Sequence, residues 1–312
     1  MGQWPSQSDG NYSQGFDYDQ WGNVAHRYGW GGEVLGGAAT DRYYTYSNNR
    51  RTDSGFVYDG AGNLTFDGGQ HFTYDAQGNQ VGVDWTNLRQ GYDGDGLRVR
   101  RTENWTYPAR YLRSSVLGGQ VLIEIDQMDG SWQMGRGYVY AGAGPLAEQQ
   151  GGAVYFVHED PVTKAKRVTD ASGAVVSAVE FDPYGAEAGE TNGAFQPRKF
   201  TSYERDANGT DEAMMRRYNR WHARFDQPDP ADGSYDLSDP QSLNRYSYVR
   251  NDPVNFVDPT GLTPYGIFWR EPTATQRCLW FGECGPGLEG NGDGRGAHPP
   301  LEDTPTRGHR SP

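Results

Sequence analysis

Cysteine is nearly absent: Cys278 and Cys284 are the only two in 312 residues, and both lie near the C-terminus. A disulfide framework is therefore excluded for the body of the chain. Cys-x5-Cys without paired histidines is a poor zinc pattern, so the two read as a small loop disulfide or as free thiols. Basic residues are also scarce. Against 41 Asp and Glu stand 28 Lys and Arg, a net charge of −13, which argues against nucleic acid, since backbone binding rests on cations neutralising phosphates. No apolar run reaches the ~18 residues that would span a bilayer, so no membrane insertion is expected. Met1-Gly2-Gln3-Trp4-Pro5 carries no basic segment followed by an apolar stretch, so no signal peptide is readable. The six histidines, His26, His71, His158, His222, His298 and His309, show no metal spacing, and no phosphate-cradling glycine loop or Gly-x-Ser-x-Gly occurs. Neither metal nor cofactor is expected.

What is abundant is glycine. The 44 Gly and 18 Pro make up about a fifth of the chain, against roughly 12% in average usage, a load that disfavours long helices. Aromatic residues stay high at 13%, unlike disordered chains, and collagen's strict Gly at every third position is missing. Many short strands joined by tight turns fit this composition, so the fold class is mainly β.

A repeat organises the first third. Tyr18-Asp19-Gln20-Trp21-Gly22-Asn23, Tyr58-Asp59-Gly60-Ala61-Gly62-Asn63, Tyr74-Asp75-Ala76-Gln77-Gly78-Asn79 and Tyr92-Asp93-Gly94-Asp95-Gly96-Leu97 all read Tyr-Asp-x-x-Gly-[Asn/Leu], with a degenerate copy around Tyr43 to Asn49. Each is a strand ending in an aromatic, then a turn. The Asp bonds its own downstream backbone, Gly supplies positive φ, and Asn tolerates the left-handed region. Alternating segments such as Gln70 to Tyr74 and Leu97 to Arg101 lie between the turns. Further strands are expected at Gln120 to Ile125, Gly137 to Tyr140, Val154 to His158 and Ala174 to Phe181.

These motifs resemble the YD repeats of Rhs proteins, toxin-complex C components and teneurins. The resemblance implies antiparallel hairpins curling as part of a hollow shell, here residues 1–199. From Phe200 to Leu262 the texture turns charged and Arg-rich, with Asp229-Pro230, Asp239-Pro240, Asp252-Pro253 and Asp258-Pro259. Asp239 and Asp252 read as turn or helix starters. Glu212 to Trp221 is helix-compatible, and a second short helix is expected to start at Asp239-Pro240 and run through Leu243, Tyr246 and Val249. Arg216, Arg217, Arg220 and Arg224 read as partners of carboxylates inside this core.

Tyr203 to Asp206, Arg224 to Pro230, Asn244 to Val249 and Asn255 to Leu262 together resemble the Rhs repeat-associated core domain, here residues 200–262, a small helix-containing plug. The resemblance implies an aspartic self-protease that cuts directly after Asp-Pro-x-Gly-Leu, between Leu262 and Thr263. It places one catalytic carboxylate at Asp229; the other belongs to the acidic cluster before the first helix, where Asp206 is the choice and Asp211 the fallback. Two close carboxyls share one proton, so one activates water while the other polarises the Leu262 carbonyl. The chain departs from the common pattern at Asp229-Pro230-Ala231-Asp232-Gly233 and at Asn208 to Glu212.

Residues 263–312 form the variable tail, expected to be largely disordered and too short for an enzyme without staples. The resemblance implies the tail as cargo, other toxin-complex subunits or an N-terminal shell part as partners, and a secreted or cell-surface location. The rival reading is a non-cleaving module whose exposed Tyr and Trp bind glycans, or the remnant of a truncated gene.

Overall fold

The computed structural model describes residues 7–8, 13–30, 40–104, 106–141, 144–231, 237, 239–262 and 265–266. The chain is mostly β. A twelve-stranded antiparallel sheet runs in strict sequence order from Phe72–Tyr74 to Glu187–Thr191, each strand bonded to the next. A four-stranded sheet precedes it, with Ser13–Tyr18, Val24–Trp30 and Thr40–Tyr43, and another follows, with Glu204–Arg205, Asp211–Glu212, Arg217–Asn219 and Arg224–Phe225. Small hairpins at Tyr46–Ser47/Arg50–Arg51 and Phe56–Tyr58/Leu64–Asp67 fill the gap between the first two sheets; the former is the degenerate repeat. The later strands stand where alternation placed them, with Gln120–Met128 and Ser131–Ala141 longer than expected.

One turn geometry explains the order. In Tyr58 to Asn63 the Asp59 amide donates to the Asn63 carbonyl at 3.0 Å, Gly62 N donates to Asp59 O at 3.1 Å, and Asp59 Oδ1 accepts the Asn63 amide at 2.8 Å. Gly62 sits at φ 98°, where a side chain is strained. The turns at Asp19, Asp75 and Asp93 repeat the pattern, and so do two that lack a preceding Tyr, Asp170 to Ala174 and Asp182 to Ala186. The repeat tyrosines are structural: Tyr74 OH donates to Leu64 O and Tyr92 OH to Gln80 O, both at about 2.9 Å or less.

Residues 200–262 share a core with the sheet. Val179, Phe181 and Tyr184, on and just after the strand Val175–Phe181, pack with Phe200, Tyr203, Tyr218, Phe225 and Tyr248. The row of turns is gripped by side chains from this segment. Asn244 Nδ2 donates to Asn23 Oδ1 at 2.9 Å, Asn251 Nδ2 to Gly22 O at 2.6 Å, Tyr246 OH to Gly62 O at 2.7 Å, and Gln227 to Gly78 O. Gly62→Ala is expected to lower stability by about 1–3 kcal/mol, because its Cβ would sit 2.6 Å from Tyr246 Oη and at positive φ. Gly60→Ala, which meets nothing within 4 Å, is the neutral control in a urea titration.

Two expected helices are corrected. Glu212 to Trp221 is not a helix but strand pairing, with Glu212 opposite Arg217 and Asn219 opposite Arg224. Helix propensity is a weak prior, and here the ion pairs and ring packing made by Arg217 and Tyr218 override it. At Asp239-Pro240 the start is as expected, Asp239 Oδ1 accepting Gln241 N at 3.1 Å. Yet only a 3-10 turn forms, Pro240–Leu243, and a separate turn Val249–Asn251 has positive φ throughout. Asp252 accepts the Asn255 amide and begins a turn.

Candidate functional site

The sequence Asp258-Pro259-Thr260-Gly261-Leu262 forms a turn that shares the aspartate cap and the positive-φ glycine of the repeat turns. Asp258 Oδ1 accepts the amides of Gly261 at 2.9 Å, Leu262 at 3.1 Å and Thr260 at 3.2 Å, and Gly261 has φ 76°, next to 77° at Gly96 in the Asp93 turn. A Cβ on Gly261 would press on Ala213 O at 2.6 Å, so glycine is required twice over. Arg216 donates through Nε to Gly261 O, and Tyr203 OH donates to Asp258 O.

The second oxygen of Asp258 faces the same arginine as Asp229. Arg216 Nη2 lies 3.2 Å from Asp229 Oδ2 and 3.6 Å from Asp258 Oδ2, so one guanidinium bridges two carboxylates beside Leu262. Asp229 is 6% exposed and Asp258 2%. Burial raises the Asp229 carboxyl above its ordinary value, opposed by Arg216, the Ala231 amide at 2.9 Å and Arg245. Asp258 accepts its backbone amides as an anion would. A pocket of about 40 Å³ is lined by Arg216, Asp229, Arg245, Asp258 and Leu262, room for at least one water, which needs about 10–15 Å³. On its other side Asp229 borders an open groove of about 750 Å³ walled by the Asp59, Asp75 and Asp93 turns.

No family model matches the chain. Among curated proteins it is 27% identical over 220 residues to the tRNA3(Ser)-specific nuclease WapA of Bacillus spizizenii, covering 67% of this chain and 9% of that one. It is 35% identical over 100 residues to the toxin subunit YenC2 of Yersinia entomophaga, covering 30% of this chain and 10% of that one. The chain thus spans about a tenth of the length of these relatives. The crystal structure of TcdB2-TccC3 superposes with a TM-score of 0.64 at 21% identity, covering 83% of this chain and 14% of that one; it shares the fold. The chain's homologues thus include a WapA tRNA nuclease and a YenC toxin subunit, in line with the Rhs resemblance of its motifs.

Asp206 and Asp229 are not brought together. Asp206 is also a turn aspartate, with Gly209 N donating to its carbonyl at 2.8 Å. Its carboxylate is taken by Arg98 and Arg217, each at 2.7 Å, and by Arg101 at 3.5 Å. Burial opposes its charge, but Arg98, Arg217 and Arg101 hold it well below the usual carboxylate range. Asp211 is gripped by Arg205 Nε at 2.7 Å and Nη2 at 3.0 Å. Leu262 lies in the Asp229 pocket; of the tail only Tyr265–Gly266 is described, paired with Phe256–Val257, while Thr263, Cys278 and Cys284 fall outside the described residues. Sequence reasoning gave Asp258 no catalytic role; its Asp-x-x-Gly-Leu spacing, identical to Asp93 to Leu97, is the signal for the turn that sets it beside Arg216.

Arg216 and Arg217 pair with carboxylates as expected, and Arg220 lies 3.2 Å from Glu187, whereas Arg224 binds Asn23 Oδ1 and Asn49 O instead. His158 bonds Thr169 and Glu159 bonds Lys166; among the described residues no cluster of potential metal ligands occurs. No helix among those residues is long and apolar enough to cross a membrane.

The Asp206 cluster joins the twelve-stranded sheet to the segment from Phe200 onward. Arg98, Arg101 and Arg217 serve Glu103, Glu124, Glu204, Asp206 and Glu212, with Arg198 at 3.9 Å from Glu204. Carboxylates outnumber guanidiniums, and the cost falls at the margin. Burial, with Asp206 beside Glu103 and Glu204 beside Glu124, pushes both carboxyls up to about 7. A buried acid with a raised value penalises folding once it ionises, so the penalty is absent below the unfolded value and complete above about pH 7. Glu124→Gln should therefore stabilise the chain at pH 8 by up to about 3 kcal/mol and leave it unchanged at pH 4, read from urea midpoints at both values.

Proposed function

We propose that this chain is the C-terminal part of a YD-repeat delivery protein whose core hydrolyses its own backbone once, after Leu262, with Asp229 and Asp258 as the carboxylate pair. The observation that carries this is the single buried guanidinium of Arg216 shared by two buried carboxylates at 3.2 and 3.6 Å, in a small pocket that Leu262 also lines. Asp206, tied into a different arginine cluster, is replaced by Asp258 in this role.

The charges suggest the division of labour. Asp258, with three backbone amides on one oxygen, is the ionised member and takes a proton from water as it attacks the Leu262 carbonyl carbon. Asp229, raised by burial, carries the proton and gives it to the carbonyl oxygen as the tetrahedral intermediate forms. Arg216 opposes the negative charge that develops. Collapse of the intermediate breaks the bond to Thr263, whose nitrogen leaves as an amine after receiving a proton from the pair. The tethered substrate is already in place, so one turnover requires no binding step.

The tail would be the cargo, and toxin-complex subunits of the kind found in the structural relatives the partners. Purified full-length chain, incubated between about pH 4 and pH 8, should resolve by intact mass into species of 262 and 50 residues. A single uncut mass across that range overturns the proposal.

A further inference from the structure

The guanidinium of Arg245 makes no salt bridge with the Asp229 carboxylate beside it. Arg245 Nη2 donates to the backbone carbonyl of Asp229 and, at 3.4 Å, to that of Ala231. In return the Asp229 amide donates to Arg245 O at 2.9 Å, so one residue holds Asp229 at both its N–H and its C=O. The same Arg245 carbonyl accepts Arg216 Nη1 at 2.9 Å, which ties the bridging arginine to the same anchor. Arg245 Nε is buried without a hydrogen-bond partner. Its side chain lines both the small pocket with Leu262 and the open groove.

We propose that Arg245 is a positioning residue for cleavage at Leu262, fixing Asp229 and Arg216 to one another and setting its charge between the Leu262 pocket and the groove. This rests on the self-cleavage reading above. Other arginines, such as Arg113 with Arg98 O at 2.7 Å and Gly119 O at 2.8 Å, brace backbone away from the carboxylate pair. Arg245 instead directs its fork at the two carbonyls that set where Asp229 stands, and a displacement of about 1 Å at a reacting group costs on the order of 100-fold in rate. Its charge has a second effect. Asp229 is faced by Arg216, by Asp258 across that arginine, by Arg250 from the pocket side, and by Asp59, Asp75 and Asp95 from the turns. Arg245 is among the groups that offset the burial of Asp229, keeping its proton available for transfer.

The test compares Arg245→Met and Arg245→Lys with the wild type in cleavage time courses across pH. Arg245→Met removes both fork and charge, so the rate should fall by about ten-fold or more. The basic limb of the profile, where Asp229 loses its proton, should also move to higher pH. Arg245→Lys keeps the charge and loses the fork: slower cleavage with the limb unmoved. Wild-type rate and profile in Arg245→Met overturn the proposal, and so does an equal loss in both variants with no displaced limb, which a purely structural role would give. A wild type that never cleaves sinks the self-cleavage reading instead. Arg245 is then judged by NMR titration of the Asp229 carboxyl carbon, which should titrate higher in Arg245→Met than in wild type or Arg245→Lys. An unmoved Asp229 overturns it.

Discussion

Asp229→Asn and Asp258→Asn chains should each remain a single species of 312 residues under conditions in which the wild type divides. Each substitution leaves the side chain's size and one acceptor oxygen in place but removes the proton chemistry. Asp229 loses the acid and Asp258 the base, a loss of about 10²–10⁴-fold for a positioned acid or base. In Asp258→Asn the side-chain amide oxygen can still accept the amides of Gly261 and Leu262, so the turn that presents Leu262 survives. Asp206→Asn separates the two clusters: it removes charge from the Arg98–Arg217 network while leaving the Arg216 bridge intact. Measured at equal folded fraction, it should cleave. If Asp206→Asn stops cleavage in a folded chain while Asp258→Asn does not, the pair is Asp229 with Asp206 and the present assignment falls.

The second large effect is on stability. Arg98 is fully buried and lies 2.7 Å from Asp206, 3.2 Å from Glu204 and 3.9 Å from Glu212. Arg98→Met fills similar space but strands carboxylates that cannot reach water, at a cost of about 3–5 kcal/mol. That is a large share of the roughly 5–15 kcal/mol that holds a domain together. The pH dependence identifies the cause. In the wild type, burial pushes the Glu204 carboxyl up, but Arg98, Arg101 and Arg198 pull it down to about 2. It therefore contributes stability that is present above its unfolded value and lost as pH falls through the folded one. In Arg98→Met the stranded acids rise instead and take up protons on acidification, so the deficit against wild type should shrink as pH falls from about 7 to about 4. A deficit that stays constant over that range would mean lost packing rather than lost charge.

The strands and turns were legible because their chemistry is local. Asp, Gly and Asn within five residues supply the acceptor, the positive φ and the closing amide, and nothing distant is needed. The turn rule does not separate Asp206, the choice the resemblance implied, from Asp258, which has the same Asp-x-x-Gly spacing. Both are turn aspartates, and only the surroundings separate them: Arg98 and Arg217 claim one, Arg216 and Leu262 the other. The stretch from Glu212 to Trp221 failed for a related reason. Its Ala, Met and Arg favour helix locally, but the residue faces that strand pairing creates send Arg217 to Asp206 and Glu212, and Tyr218 into the ring cluster around Phe200 and Tyr248.

By itself the sequence determined the mainly β class and the hairpin repeat, and its resemblance to the Rhs core singled out Asp229. Which second carboxylate meets Asp229, which arginine bridges them, and which buried acids share protons near neutrality were decided by tertiary structure alone. Turn formation depends on neighbours in sequence. The pairing and ionisation of a buried carboxylate depend on which charges packing brings within a few ångströms and how much water it removes.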